Sequence, residues 1–218
     1  MLYSHIIFDM DGTLLDTLED LGNACNHICE QRGWPTFSLD RYRYKVGNGM
    51  PKLVERIVPA EFAGNGSVFR SAYDDFCTYY AAHKEDATRP YEGIAPTLEA
   101  LHRAGVKLAV LTNKDHAAAV PLTKRYFGEG LFDVVQGRID SLPAKPAAPL
   151  TRHVMEQLGA KADTCLYVGD SNVDVETGHN AGLKVAGAVW GFRGAGELRE
   201  AGADYLVETP HDLLDIAL

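Results

Sequence analysis

Residues 8–17 read FDMDGTLLDT. Phe8 closes the apolar run HIIF at 5–8, so Asp9 and Asp11 stand one residue apart at the end of a predicted buried strand, with Gly12 and Thr13 directly after them. Like charges repel there, and burial raises the cost of ionising each carboxyl group. A turn accounts for part of the pattern, because Asp-Gly favours tight turns and Asp or Thr can cap the helix that follows. One aspartate is left without a purpose.

Outward from this stretch the chain changes character twice. From 106 onward, short apolar runs alternate with helical patterns. Strands are predicted at 107–112 (KLAVLT), 133–136 (DVVQ), 165–170 (CLYVGD), 184–190 (KVAGAVW) and 204–207 (DYLV). Helical spacing falls at 96–104, 117–127, 149–158, 173–181, 196–201 and 210–217, and the glycines of RAGV, QLGA, NAGL and EAGA mark helix ends. This alternation predicts an α/β fold, a parallel sheet with helices on both faces, to which the first strand at 5–9 also belongs. Between 15 and 86 no strand alternation is visible. Apolar and aromatic residues three to four apart predict helices within 17–33, 38–46, 50–58 and 67–84, a compact helical bundle inserted after the first strand. Hinges are expected near 15–17 and 87–93. The predicted domains are an α/β core of 1–15 and 87–218 and a helical cap of 16–86.

A chain of 218 residues accommodates both parts, and 46% hydrophobic with 23% charged residues is ordinary for a globular protein. The formal net charge of −9 argues against general attraction to nucleic acid or to an acidic membrane surface. No run approaches the ~20 apolar residues that span a bilayer. The start MLYSHIIFDMDG has no basic stretch and is not expected to be a signal peptide. Cys25 and Cys29 are four apart but lack a matching Cys/His pair. With Cys77 and Cys165 they read as reduced structural thiols of a cytoplasmic protein. The eight histidines show no metal-ligand spacing.

Open parallel sheets bind ligands beyond the carboxyl ends of their strands. Those ends present Asp9 and Asp11, then Thr112 and Asn113, then Lys145 in PAKPAAP, then Asp170, Ser171 and, one helical turn on, Asp174. Crowded carboxylates are tolerable around a divalent cation, and hard oxygen ligands of this kind suit Mg²⁺. A lysine and a threonine hydroxyl supply charge and a donor for an anion. The set reads as a site for a phosphoryl group bridged to a metal, where positioning and charge neutralisation carry the chemistry. One aspartate then attacks phosphorus and the other handles the proton. The two carboxylates of the opening stretch have different work.

In order and spacing these motifs resemble the haloacid dehalogenase (HAD) superfamily, specifically its phosphatases with a helical cap inserted after the first motif. DMDGTLLDT is similar to the first motif, LTN to the second, Lys145-Pro146 to the third and GDSNVD to the fourth, and the similarity covers essentially the whole chain. The resemblance implies a Rossmann-like, HAD-like parallel-sheet core. It implies Asp9 as nucleophile and Mg²⁺ ligand, and Asp11 as general acid/base whose backbone carbonyl also reaches the metal. Thr112, Asn113 and Lys145 would hold the phosphoryl group, and Asp170 would ligate the metal. Asp174, Ser171, Thr13 and the backbone amides of 10–12 would lend support. The superfamily's dehalogenases lack an aspartate at position 11 and its ion-pumping ATPases carry threonine, so Asp11 implies a phosphatase or, less often, a phosphomutase. Two departures, Ala148 in place of a frequent proline and Gly178 in place of alanine, touch no catalytic group.

KVGNGMPKLVERIV, RPYEG and DSLPAKP are similar to phosphoglycolate phosphatases. That likeness implies Mg²⁺-dependent hydrolysis of a small-molecule phosphate ester, 2-phosphoglycolate first, through an aspartyl-phosphate. The enzyme would be a monomer or homodimer with no nucleic-acid or membrane partner. Alternatives on the same chemistry are a pyrophosphatase, a phosphosugar phosphatase or a β-phosphoglucomutase-like enzyme. A non-catalytic binding protein on this fold is the alternative of another class. Gly47-Asn48-Gly49 reads as a plain connector or as a turn near substrate, with Arg43, Lys45 or Lys52 meeting a second anionic group. Arg193 in WGFRG is expected to face solvent or a neighbouring loop.

Overall fold

The computed structural model describes residues 1–218. In chain order the elements are β1 (His5–Phe8), β2 (Leu15–Asp16), α1 (Leu18–Gln31), α2 (Leu39–Tyr42), α3 (Met50–Glu55), α4 (Gly66–His83), β3 (Arg89–Pro90), α5 (Ile94–Arg103) and β4 (Lys107–Asp115). There follow α6 (His116–Phe127), β5 (Val134–Arg138), α7 (Ala148–Leu158), β6 (Cys165–Gly169), α8 (Asn172–Ala181), β7 (Lys184–Ala188), α9 (Gly194–Glu200), β8 (Tyr205–Val207) and α10 (Asp212–Ala217). The chain forms two compact units, Met1–Leu15 with Pro90–Leu218, and Asp16–Arg89.

The first unit is built on a six-stranded sheet of order β5-β4-β1-β6-β7-β8, every pairing parallel. Its strands read as apolar runs because both faces are covered, and alternate residues feed two separate cores. Ile6, Phe8, Leu108, Val110, Leu166 and Val168 pack on one face. Ile7, Ala109, Leu111, Cys165, Tyr167 and Val185 pack on the other. Full burial of each large apolar side chain contributes about 1.5–3 kcal/mol. From β1 the chain first builds outward through β4 and β5, then returns to β6 on the other side. The order therefore reverses at β1, and the carboxyl end of β1 lies at the switch point where such sheets bind ligands.

β4 runs three residues beyond its predicted end. Leu111 pairs with Gln136 but Asp115 with Arg138, so four steps on β4 match two on β5. This bulge buries Thr112, Asn113 and Lys114 in succession, where a regular strand would alternate.

The second unit packs α1 against α4. Leu21, Cys25 and Ile28 bury one face of α1, and Ala72, Phe76 and Tyr80 bury one face of α4, as their spacing of three to four predicts. Asp20, near the start of α1, is buried and accepts from Ala87 N (2.9 Å), Thr88 N (2.8 Å) and Thr88 Oγ1 (2.7 Å). α2 is shorter than the sequence predicts. Arg56 Nη1 donates to the Lys45 carbonyl at 2.5 Å and Lys45 Nζ donates to the Arg56 carbonyl at 2.9 Å, which holds the chain out of helix ahead of Gly47. The segments expected as hinges contain a short two-stranded ribbon, β2 with β3, that the sequence did not reveal.

Candidate active site

Asp9 follows β1 directly and its amide donates to the Val168 carbonyl at 2.9 Å, so the sheet ladder itself fixes the first carboxylate. The chain then turns tightly. Leu14 N and Leu15 N both donate to the Met10 carbonyl at 3.0 Å, and Gly12 N to the Leu15 carbonyl at 2.9 Å. The Gly12 amide, expected in the cradle, is thus engaged within the turn. Gly12 has φ +89°, a conformation that favours glycine, and a Cβ there would lie 2.5 Å from Asp170 Oδ2.

Asp170 comes from the end of β6 and is buried. Its Oδ1 accepts from Thr13 Oγ1 at 3.4 Å and its Oδ2 from Phe192 N at 2.8 Å. The second bond comes from the loop after β7, which passes so close that a Cβ on Gly191 would sit 2.2 Å from Asp170 Cβ and 2.4 Å from the Gly12 carbonyl. Trp190 Nε1 in the same loop donates to the Thr13 carbonyl at 3.0 Å. Arg193, expected to face solvent or a neighbouring loop, is instead nearly buried and pairs with Glu197 at 3.3 Å along α9.

Asp174 sits at the third position of α8 and closes a capping box with Ser171. Its Oδ2 accepts from Ser171 N (3.1 Å) and Oγ (2.7 Å). Its Oδ1 accepts from Lys145 Nζ at 2.8 Å. Lys145 is buried, also lies 2.9 Å from Asp9 Oδ1, and donates to Tyr167 Oη at 3.0 Å. Asn113 anchors this lysine's backbone twice, accepting from Lys145 N at 3.0 Å and donating to Lys145 O at 3.2 Å. Thr112 Oγ1 accepts from Lys114 N at 3.2 Å. The structure therefore brings Asp9, Thr13, Thr112, Asn113, Lys145, Asp170, Ser171 and Asp174 to one edge of the sheet. Asp11 is there too, with its carboxylate 3.1 Å from Lys114 Nζ.

Burial, reinforced by the Asp174 charge, pushes the Asp9 carboxyl up to about 7 against the pull of Lys145. Burial and the charges of Asp174 and Asp9 also push Asp170 well above the usual carboxylate range. For Lys145 burial acts downward, but Asp174 and Asp9 outweigh it and hold the ammonium charged.

The donor set fits a divalent cation. Asp9, Asp170 and Asp174 offer carboxylate oxygens within 4.8 Å of one another. The one lysine among them, Lys145, pairs with Asp9 and Asp174 only, so the clustered carboxylates outnumber the buried ammonium. Asp9 Oδ1, although within ion-pair range of Lys145, is buried without a hydrogen bond of its own. Hard oxygens, excess charge and an unsatisfied lone pair are the conditions Mg²⁺ meets.

Lys114 and Tyr167 were not singled out in the sequence. LTN is followed immediately by the lysine, and Tyr167 precedes VGD, so both lie beside motifs that were. In the helical unit Arg43 pairs with Asp40, Lys52 with Glu55, and Lys45 with the Arg56 carbonyl.

Sequence comparison supports the motifs. Residues 6–188 match the haloacid dehalogenase-like hydrolases, and the chain belongs to that family. Among curated relatives, the phosphoglycolate phosphatase of Chromobacterium violaceum is 33% identical over 214 residues, covering 97% of this chain and 95% of that protein. Pyrophosphatase PpaX of Halalkalibacterium halodurans is 30% identical over 216 residues, covering 97% and 95%. Among solved structures, a Lactobacillus delbrueckii subsp. bulgaricus protein superposes with TM-score 0.94 at 32% identity, over 100% of this chain and 99% of that one. Its assignment as a phosphoglycolate phosphatase is itself an inference.

Proposed function

We propose that this protein is a Mg²⁺-dependent phosphomonoester hydrolase of small metabolites, acting through an aspartyl-phosphate, with 2-phosphoglycolate as its first substrate. The observation that carries the reading is Asp9 Oδ1: a buried carboxylate oxygen beside an ammonium, with no hydrogen bond of its own. A lone pair held in that state is a nucleophile in waiting. The helical unit serves as the family's cap, and the enzyme works in the cytoplasm as a monomer or homodimer.

In the first half-reaction an Asp9 oxygen bonds to phosphorus as the phosphorus–ester oxygen bond breaks, and Asp11 delivers a proton to the departing oxygen. In the second, Asp11 takes a proton from a water whose oxygen attacks the same phosphorus, releasing orthophosphate and restoring Asp9. Lys145 and Thr112 face the charge on the transferring group, while Asn113 holds Lys145 in place. Asp170 and Asp174, with Asp9 and the Asp11 carbonyl, would hold Mg²⁺, with Ser171 and Thr13 orienting the two carboxylates. When bound, the metal would supply charge neutralisation for the transferring group.

The substrate rests on likeness to relatives named phosphoglycolate phosphatase. A relative named pyrophosphatase at similar identity makes inorganic pyrophosphate the second reading. Phosphate release from 2-phosphoglycolate, pyrophosphate, glucose phosphates and p-nitrophenyl phosphate with Mg²⁺ tests both. Fastest turnover of phosphoglycolate is the expected result, and no release from any of the four overturns the proposal.

A further inference from the structure

Two lysines are buried at this edge of the sheet, and the mechanism above uses one. The other, Lys114, occupies the last position of the β4 bulge and is 3% exposed. Its ammonium lies 3.1 and 3.3 Å from the two oxygens of Asp11. Within this pair the lysine side chain is 1% exposed and the aspartate 14%, so the carboxylate is the end that water and ligands reach.

This geometry sets a condition on turnover. With both oxygens turned to Lys114, Asp11 has to release one contact before it hydrogen-bonds to a leaving oxygen. A buried ammonium that keeps only one of its two contacts to the carboxylate is less well compensated. An ester whose leaving group carries its own negative charge makes up the lost contact, and a neutral leaving group does not. We infer that Lys114 is a specificity-determining residue, which holds Asp11 in the free protein and passes to the anionic end of the leaving group when the ester binds. The inference rests on the phosphomonoester reading and narrows it to esters with a second anion close to the ester oxygen.

The experiment compares 2-phosphoglycolate with ethyl phosphate, a two-carbon ester with an uncharged leaving group, in the wild type, Lys114→Met and Lys114→Arg. The wild type is expected to favour phosphoglycolate in kcat/KM by at least about a hundredfold. Lys114→Met should cut that preference below about tenfold, and Lys114→Arg should restore part of it. If both esters slow together and the ratio holds in Lys114→Met, the inference is overturned and Lys114 is only the counter-ion of Asp11. Should Lys114→Met fail to fold by circular dichroism, Lys114→Gln carries the same comparison. A wild type that prefers pyrophosphate sinks phosphoglycolate as the substrate yet supports the inference, provided Lys114→Met loses its preference for pyrophosphate over ethyl phosphate. If the wild type turns over no ester at all, the phosphatase reading fails, and calorimetric titration with glycolate decides this inference alone. Glycolate binding that disappears in Lys114→Met supports it, and equal or absent binding in both proteins overturns it.

Discussion

The two units bury charge in opposite ways. In the helical unit Asp20 is the one buried carboxylate, no lysine or arginine is buried, and three donors from residues 87 and 88 satisfy its two oxygens. In the α/β unit Asp9, Lys114, Lys145, Asp170 and Asp174 are all buried, and they largely face one another. Lys145 is divided between two carboxylates, and one oxygen of Asp9 is left without a hydrogen bond. The first charge is saturated by two amides and a hydroxyl, the arrangement of a structural anchor. The second is left with conflicting claims on it, the arrangement that the proposed chemistry needs.

The largest effect that separates the two cases is Asp9→Asn. Turnover should fall at least about a thousandfold, with the melting temperature within a few degrees of the parent. Turnover that survives this change would erase the distinction. Next, Asp20→Ala strands the Ala87 and Thr88 amides and should cost about 2–4 kcal/mol, seen as a melting point lowered by about 5–12 °C. Rate per folded molecule should stay within about twofold, and a collapse of rate at unchanged stability would place Asp20 with the chemical group.

The smallest effect sharpens the comparison through pH. Asp9 in the metal-free fold is pushed up to about 7 from an ordinary 3.8. Its ionisation therefore opposes folding, and the metal-free protein loses stability from this group as pH rises across that window. Mg²⁺ bound to the ionised cluster removes that loss. The rise in melting temperature on adding Mg²⁺ should accordingly be greater near pH 8 than near pH 5.5, by an equivalent of about 1–2 kcal/mol. A rise that is greater at the lower pH would contradict this account of the cluster.

Most of the sheet was legible because each strand, buried on both faces, reads as a short apolar run ended by a polar group. The positions of two candidate-site aspartates were legible for the same reason, since Asp9 and Asp170 sit where such runs stop. Lys114 was not. It is one of 21 lysines and arginines, and only the bulge, a property of how β4 pairs with β5, turns it inward. Tyr167 reads as an ordinary core residue, and nothing in its spacing tells that its hydroxyl meets Lys145. The Phe192 amide on Asp170 is invisible for a simpler reason, because a backbone donor leaves no mark in a sequence. The shortened α2 reflects a long-range pair, Lys45 with Arg56, that outweighs local helical preference.

The slip in pairing at Thr112–Lys114 has an evolutionary reach. Three adjacent side chains are buried there, where an unbroken pleat would turn every second one away. Under the proposed roles, drift in the third alone would change which molecules are welcomed, while the first two went on serving the reaction untouched.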